Sequence, residues 1–271
     1  MQTLPALTSL KLTGDYTPAN IATAMRLSGA QLRKLYLSTK LDGRPSQSYL
    51  GIANLAFLQQ LPQSCPQLEE LDLGIVRSEG SASEFALYRA LGQFASLKQV
   101  YLSIYGAQSF LLDDDLLTNV NDRAIDKLAP NARDTANLES AFTDLAIDEQ
   151  LAQSVFACIT EAKPAFSPPL ENLTLRVRAF DRYARYQSYA VVMHLLTFIS
   201  RSCVCTSTLR DDRPHQCMVK ECDEEDGAAR DDFMDDVLEA VMALQPTLRR
   251  VWPDVTVDEW TQRWHSFPLA T

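Results

Sequence analysis

Five short stretches of this 271-residue chain place an apolar residue at positions one, four and six: Leu7/Leu10/Leu12, Leu32/Leu35/Leu37, Leu68/Leu71/Leu73, Leu97/Val100/Leu102 and Leu170/Leu173/Leu175. Positions four and six lie two apart, so in an extended chain they project to one face and the residues between them to the other. A unit this short buries nothing alone. Five copies hide their leucines only by stacking side by side. First leucines are separated by 25, 36, 29 and 73 residues, and a sixth start at Leu248 lies a further 78 on. The first three intervals suit single repeats of unequal length, and the last two suit about two repeats each.

Amphipathic segments with helix punctuation lie between the strands. Thr17-Pro18 supplies an N-cap and a first-turn proline ahead of Ile21, Ala24 and Met25, and Ser28-Gly29 closes the segment. Ser46 opens a second helix carrying Leu50, Phe57, Leu58 and Leu61. Ser81 and Glu84 form a capping box before Phe85, Tyr88 and Leu91. Three-to-four apolar spacing predicts further helices over 148–162, 187–201 and 230–244. Strand and helix in alternation give an α/β chain: a right-handed leucine-rich-repeat-like solenoid with irregular repeats, parallel strands on one face and helices on the other. The expectation is a single domain over 1–271. It carries an irregular insertion over 109–139, helical at 122–128, and an acidic loop over 205–229 with a degenerate strand near 216–220. A C-terminal cap over 251–271 holds Trp252, Trp260 and Trp264.

Stacking aligns equivalent positions into columns. With the leucines inward, one outward column reads Lys11, Tyr36, Asp72, Tyr101, Thr174. Its neighbours read Ser9, Lys34, Glu70, Gln99, Asn172 and Thr13, Ser38, Gly74, Ser103, Arg176. Two tyrosines beside mixed charge suit a recognition surface, since aromatic residues dominate binding hot spots; tyrosine also simply suits β-structure. Beyond the fifth strand, Arg176, Arg178, Arg182 and Arg185 alternate with Tyr183 and Tyr186. Such a loop grips acidic or phosphorylated peptide through planar guanidinium forks, or else pairs with the chain's own acids. The candidate partner-binding residues are therefore Lys11, Tyr36, Asp72, Tyr101, Arg176, Arg178, Arg182, Tyr183 and Arg185.

The formal net charge of −10 argues against nucleic acid, whose phosphates it repels. Most of that charge is local: residues 211–236 hold eleven acids against Arg213, Lys220 and Arg230, a net of −8. The longest apolar run, 189–199, contains His194 and is too short to span a bilayer. Nothing near Met1 reads as a secretion signal, so a cytoplasmic or nuclear protein is expected. The six cysteines are unevenly spaced, in line with a reducing compartment. Cys203, Cys205, Cys217 and Cys222 with His215 are the nearest thing to a metal cluster, but C-x-C and C-x₄-C lack the paired spacing zinc prefers. No metal or other cofactor is expected. Nucleotide-binding glycine loops, zinc-protease helices and nucleophile elbows are likewise missing from the sequence, so no enzyme is expected.

Cys65-Pro66-Gln67-Leu68-Glu69-Glu70-Leu71-Asp72-Leu73 resembles the helix-to-strand passage of cysteine-containing repeats in F-box proteins. The run from Leu145 to Ala152 with Val155-Phe156, and the ending Trp264-His265-Ser266-Phe267-Pro268-Leu269, resemble the C-terminal leucine-rich-repeat region of fungal F-box proteins. That resemblance implies a buried Cys65 and a substrate-recognition module of a ubiquitin ligase, with a protein partner on the concave strand face. A ligase adaptor is implied only if an F-box precedes Met1, because the repeats begin by Leu7. The alternatives are a scaffold protein that never meets a ligase and, more remotely, an enzyme on an unfamiliar α/β fold.

Overall fold

The computed structural model of the protein describes residues 7–14, 16, 18–38, 54–105, 132–177, 195–196, 198–207, 217–221, 238, 241–242, 244–256, 260–267 and 269. Each of the five apolar hexads enters a strand: β1 (Ser9–Thr13), β2 (Lys34–Ser38), β3 (Glu70–Val76), β4 (Gln99–Tyr105) and β5 (Asn172–Val177). Two more, β6 (Cys203–Ser207) and β7 (Cys217–Glu221), complete a seven-stranded sheet ordered as in the chain. From β1 to β5 every pairing is parallel, with leucine opposite leucine or valine: Leu10, Leu35, Leu71, Val100, Leu173. The molecule is a mixed α/β protein.

The parallel run ends at β5, which corrects the expectation of parallel strands throughout. β6 and β7 pair antiparallel. The degenerate strand expected near 216–220 is β7, and the start of the segment expected as a loop over 205–229 belongs to β6. Its acidic composition masks a short β-pattern: Cys203 and Cys205 alternate inward and are fully buried, and Val219 packs on the same core. The insertion expected over 109–139 also ends in regular structure, because helix α4 (Ala132–Leu145) starts inside it. The helix expected at 122–128 lies outside the described residues.

The other helices are α1 (Pro18–Ser28), α2 (Leu55–Ser64), α3 (Ala82–Gly92), α5 (Glu149–Glu161), α6 (Gln245–Val251) and α7 (Trp260–Arg263). Asn54 caps α2, its side chain accepting from the Phe57 N–H at 2.8 Å; the Ser46 expected to open that helix lies outside the described residues. One core joins the inward strand leucines to Ile21, Met25, Leu58, Leu91, Val155 and Ile159 of the helices, with Cys65 buried as expected. Only β1 departs: Leu7 is 45% exposed, whereas Leu32, Leu68, Leu97 and Leu170 are sealed. β1 is an edge of the described sheet, so its leucines have a neighbouring strand on one side alone.

A second core lies around Trp252, which meets Phe142 of α4, Trp260 edge-on at 5.8 Å and Phe267 at 6.0 Å. Val177 at the end of β5 packs on both cores. A polar latch joins them as well. Arg77, fully buried just after β3, donates to the carbonyls of Ala146 (2.6 Å), Asp144 (3.2 Å) and Phe267 (3.0 Å). Its Nε lies 3.5 Å from a Glu84 oxygen, an ion pair by distance without hydrogen-bond geometry.

Glu84 shows why the predicted capping box is only half made. Ser81 Oγ accepts from the Glu84 N–H, but the carboxylate turns away and accepts from the Ser78 and Gly80 N–H groups and the Tyr88 hydroxyl. Those three donors hold the carboxylate away from the cap and beside the buried Arg77, where breaking the pair of charges costs about 3–5 kcal/mol. Asp144 steadies the same turn by accepting from the N–H of Glu79, which holds a positive φ of 56°.

Candidate functional site

The outward sheet face is built by register. Lys11, Tyr36, Asp72, Tyr101 and Thr174 stand side by side across β1–β5, and Ser9, Lys34, Glu70, Gln99 and Asn172 form the adjacent row. Lys11 is exposed, while Tyr36, Asp72, Tyr101 and Arg176 are half-buried. Thr174, expected in the exposed column, is buried instead.

Glu70 organises one side of the face. Its carboxylate accepts from the Tyr36 hydroxyl at 2.6 Å and lies 2.7 Å from the Lys34 ammonium. Burial alone pushes the Glu70 carboxyl up, but the Lys34 and Tyr36 hydrogen bonds outweigh it and hold it below the usual range. The same bond to Glu70 raises the Tyr36 phenol, and Lys34 is raised by its contact with Glu70. Tyr101 donates to Gln99 at 3.3 Å, in the same row. Tyr36 and Tyr101 thus both direct their hydroxyls toward the Lys34–Glu70–Gln99 row.

The other side belongs to two tyrosines that column reading passed over. At Gly74 a Cβ would fall 2.5 Å from Tyr105 Cε2, so the Tyr105 ring lies directly over that glycine. A neighbour without a side chain is the sequence signal for this approach. Tyr16, which follows β1, is buried within electrostatic reach of Tyr105 and Asp72. Burial first, then those two groups, pushes its phenol far above its ordinary range. The Tyr16 hydroxyl has no hydrogen-bond partner among the described residues. Asp72 therefore lies in register between Tyr36 and Tyr101 and within electrostatic reach of Tyr16.

Arg176 ends the row of Gly74 and Ser103 on β5. Arg178, Arg182, Tyr183 and Arg185 lie outside the described residues, as do His194 and His215. Among the described residues no group of three or more His, Cys, Asp or Glu side chains gathers as a metal site, and no helix is long and apolar enough to cross a membrane.

The chain matches no family model, no curated protein and no solved structure. The reading of this face rests on its own geometry.

Proposed function

We propose that the protein is a binding module of the leucine-rich-repeat type, a right-handed stack whose strand face holds a protein partner. The observation that carries this reading is the register of β1–β4, which brings Lys11, Tyr36, Asp72 and Tyr101 into one unbroken row. Half-buried tyrosines on a rigid sheet present large contact area at small cost in side-chain entropy. The helices occupy the opposite face with the leucines, so the row stands clear of the core. The F-box resemblance extends the proposal: the partner would be a substrate recruited for ubiquitin transfer.

Affinity purification with mass spectrometry from fungal extract, using wild-type protein and the Tyr36→Ala/Tyr101→Ala pair, tests the face. A partner captured by the wild type and lost from the double variant supports the module. Equal recovery removes this surface. Recovery of a cullin adaptor, with any sequence upstream of Met1 included, separates ligase subunit from scaffold.

A further inference from the structure

The passage from α5 into β5 is pinned at both ends and open between them. At its start the Lys163 ammonium donates to the carbonyls of Phe94 (3.1 Å) and Leu97 (2.8 Å), and Gln93 Nε2 donates to that of Ala162 at 3.0 Å. At its end Leu170 is buried in the core. Between these anchors Pro164, Ala165, Phe166, Pro168 and Pro169 are exposed and Ser167 is half-buried. Phe166 stands wholly in solvent, the most exposed of the large apolar side chains described. Its ring therefore offers an incoming protein apolar area without breaking a contact in this chain.

Ser167 is one of two hydroxyl residues in the sequence that precede a proline; the other is Thr17. Pro18 opens α1, whereas Pro168 and Pro169 stand outside any helix or strand. A proline disfavours helical backbone in the residue before it and holds that residue extended. The Ser167 N–H donates to the Pro164 carbonyl at 2.9 Å, while its hydroxyl has no hydrogen-bond partner among the described residues. By contrast Ser78, Ser81, Ser83 and Ser266 all engage their hydroxyls within the fold.

We propose that Ser167 is a phosphorylation site for a proline-directed protein kinase, displayed on this pinned loop. A phosphoryl acceptor must bring its oxygen in line with the γ-phosphorus, which an uncommitted hydroxyl on extended backbone does readily. A single hydrogen bond closes the turn from Pro164 to Ser167, so opening it for the kinase costs little. In the step, Ser167 Oγ bonds to the γ-phosphorus of ATP while the bond from that phosphorus to the β–γ bridging oxygen breaks. ADP leaves with this oxygen, and the serine proton passes to the catalytic carboxylate of the kinase. Nothing is oxidised or reduced. The product adds a charge of about −1.5 to −2 to a stretch, 162–170, whose one charged residue is Lys163. This site is separate from the strand face and holds whether or not that face binds a partner.

The test incubates the whole chain with ATP and a purified proline-directed kinase, in parallel with a kinase that selects by upstream arginine, and maps phosphate by mass spectrometry. One phosphate on Ser167, added by the proline-directed kinase alone and lost in Pro168→Ala, supports the site. Pro169→Ala should retain it. The comparison of the two kinases on wild-type protein keeps the test open if Pro168→Ala proves unstable. No phosphate on Ser167, phosphate at Thr17 instead, equal modification by both kinases, or indifference to Pro168→Ala would overturn the inference.

Discussion

Arg77 carries more of this structure than its place in the sequence announces. It follows Leu71, Leu73 and Ile75 in the inward phase just beyond β3, and there a charged side chain is fully buried and binds three backbone carbonyls. Arg77→Met should cost about 3–5 kcal/mol in urea unfolding, because it leaves the Glu84 carboxylate buried without its counter-charge. Arg77→Met/Glu84→Gln should recover part of that loss, and a double variant no better than the single would place the cost in the carbonyls.

Two cysteines give a second prediction at this scale. Burial pushes the Cys65 and Cys158 thiols from 9.0 up to about 11. A pKa raised by folding contributes stability that is present below the unfolded value and lost as pH climbs through the folded one. Urea midpoints should therefore fall between pH 9 and pH 11. Iodoacetamide at pH 8 should spare both thiols in native protein and label them in urea, as mapped by mass spectrometry. Lys163 works in the opposite direction, since burial lowers its ammonium to about 8 while it donates to the Phe94 and Leu97 carbonyls. Lys163→Met should steepen the alkaline loss, because its neutralisation on the way to high pH favours the folded state.

Among the elements, α5 shows one residue serving two ends of the chain. Asp148 caps the helix by accepting from the Leu151 N–H at 2.8 Å. The same carboxylate accepts from the Ser266 N–H and hydroxyl, 118 residues away in sequence. A plain N-cap substitution costs about 1 kcal/mol. Asp148→Ala should cost about 2–3 kcal/mol, since hydrogen bonds to a charged acceptor are lost with the cap. Ser266→Ala should reproduce only the smaller part, and equal losses would mean that the cap contributes nothing. Helix and strand positions were legible here: the hexads mark β1–β5, and Asp148 stands where the predicted α5 begins. The strand expected near 216–220 is β7, but β6 and the antiparallel direction of both were not legible, because strands of five residues carry too little pattern to declare their pairing.

On the scale of the whole molecule, the last residues of the described chain tie the two cores together. Trp252 Nε1 donates to the His265 carbonyl at 2.8 Å, Arg77 to that of Phe267, and the Phe267 ring stacks on Trp252. Removing 265–271 should strip three partners at once: the emission of Trp252 should shift to the red, and unfolding should lose cooperativity before the strands themselves melt. A single sharp transition with unshifted emission would show that the terminal segment is only a cover.

What the sequence determined by itself was periodic and local. Apolar residues at one, four and six fix which side chains of each strand face the core, and the identical phase of five copies fixes the rows, so Lys11, Tyr36, Asp72 and Tyr101 were aligned before any coordinates. Register depends on a repeated pattern, and a repeated pattern is visible in a string. Folding settled the rest: the reversal of direction after β5, the burial of Thr174, the carbonyls that receive Arg77, the diversion of Glu84 from its cap, and the approach of Tyr105 to Gly74 and of Tyr16 to Asp72. Each depends on contacts between residues whose separation in the chain follows no period, and only the folded geometry brings them together.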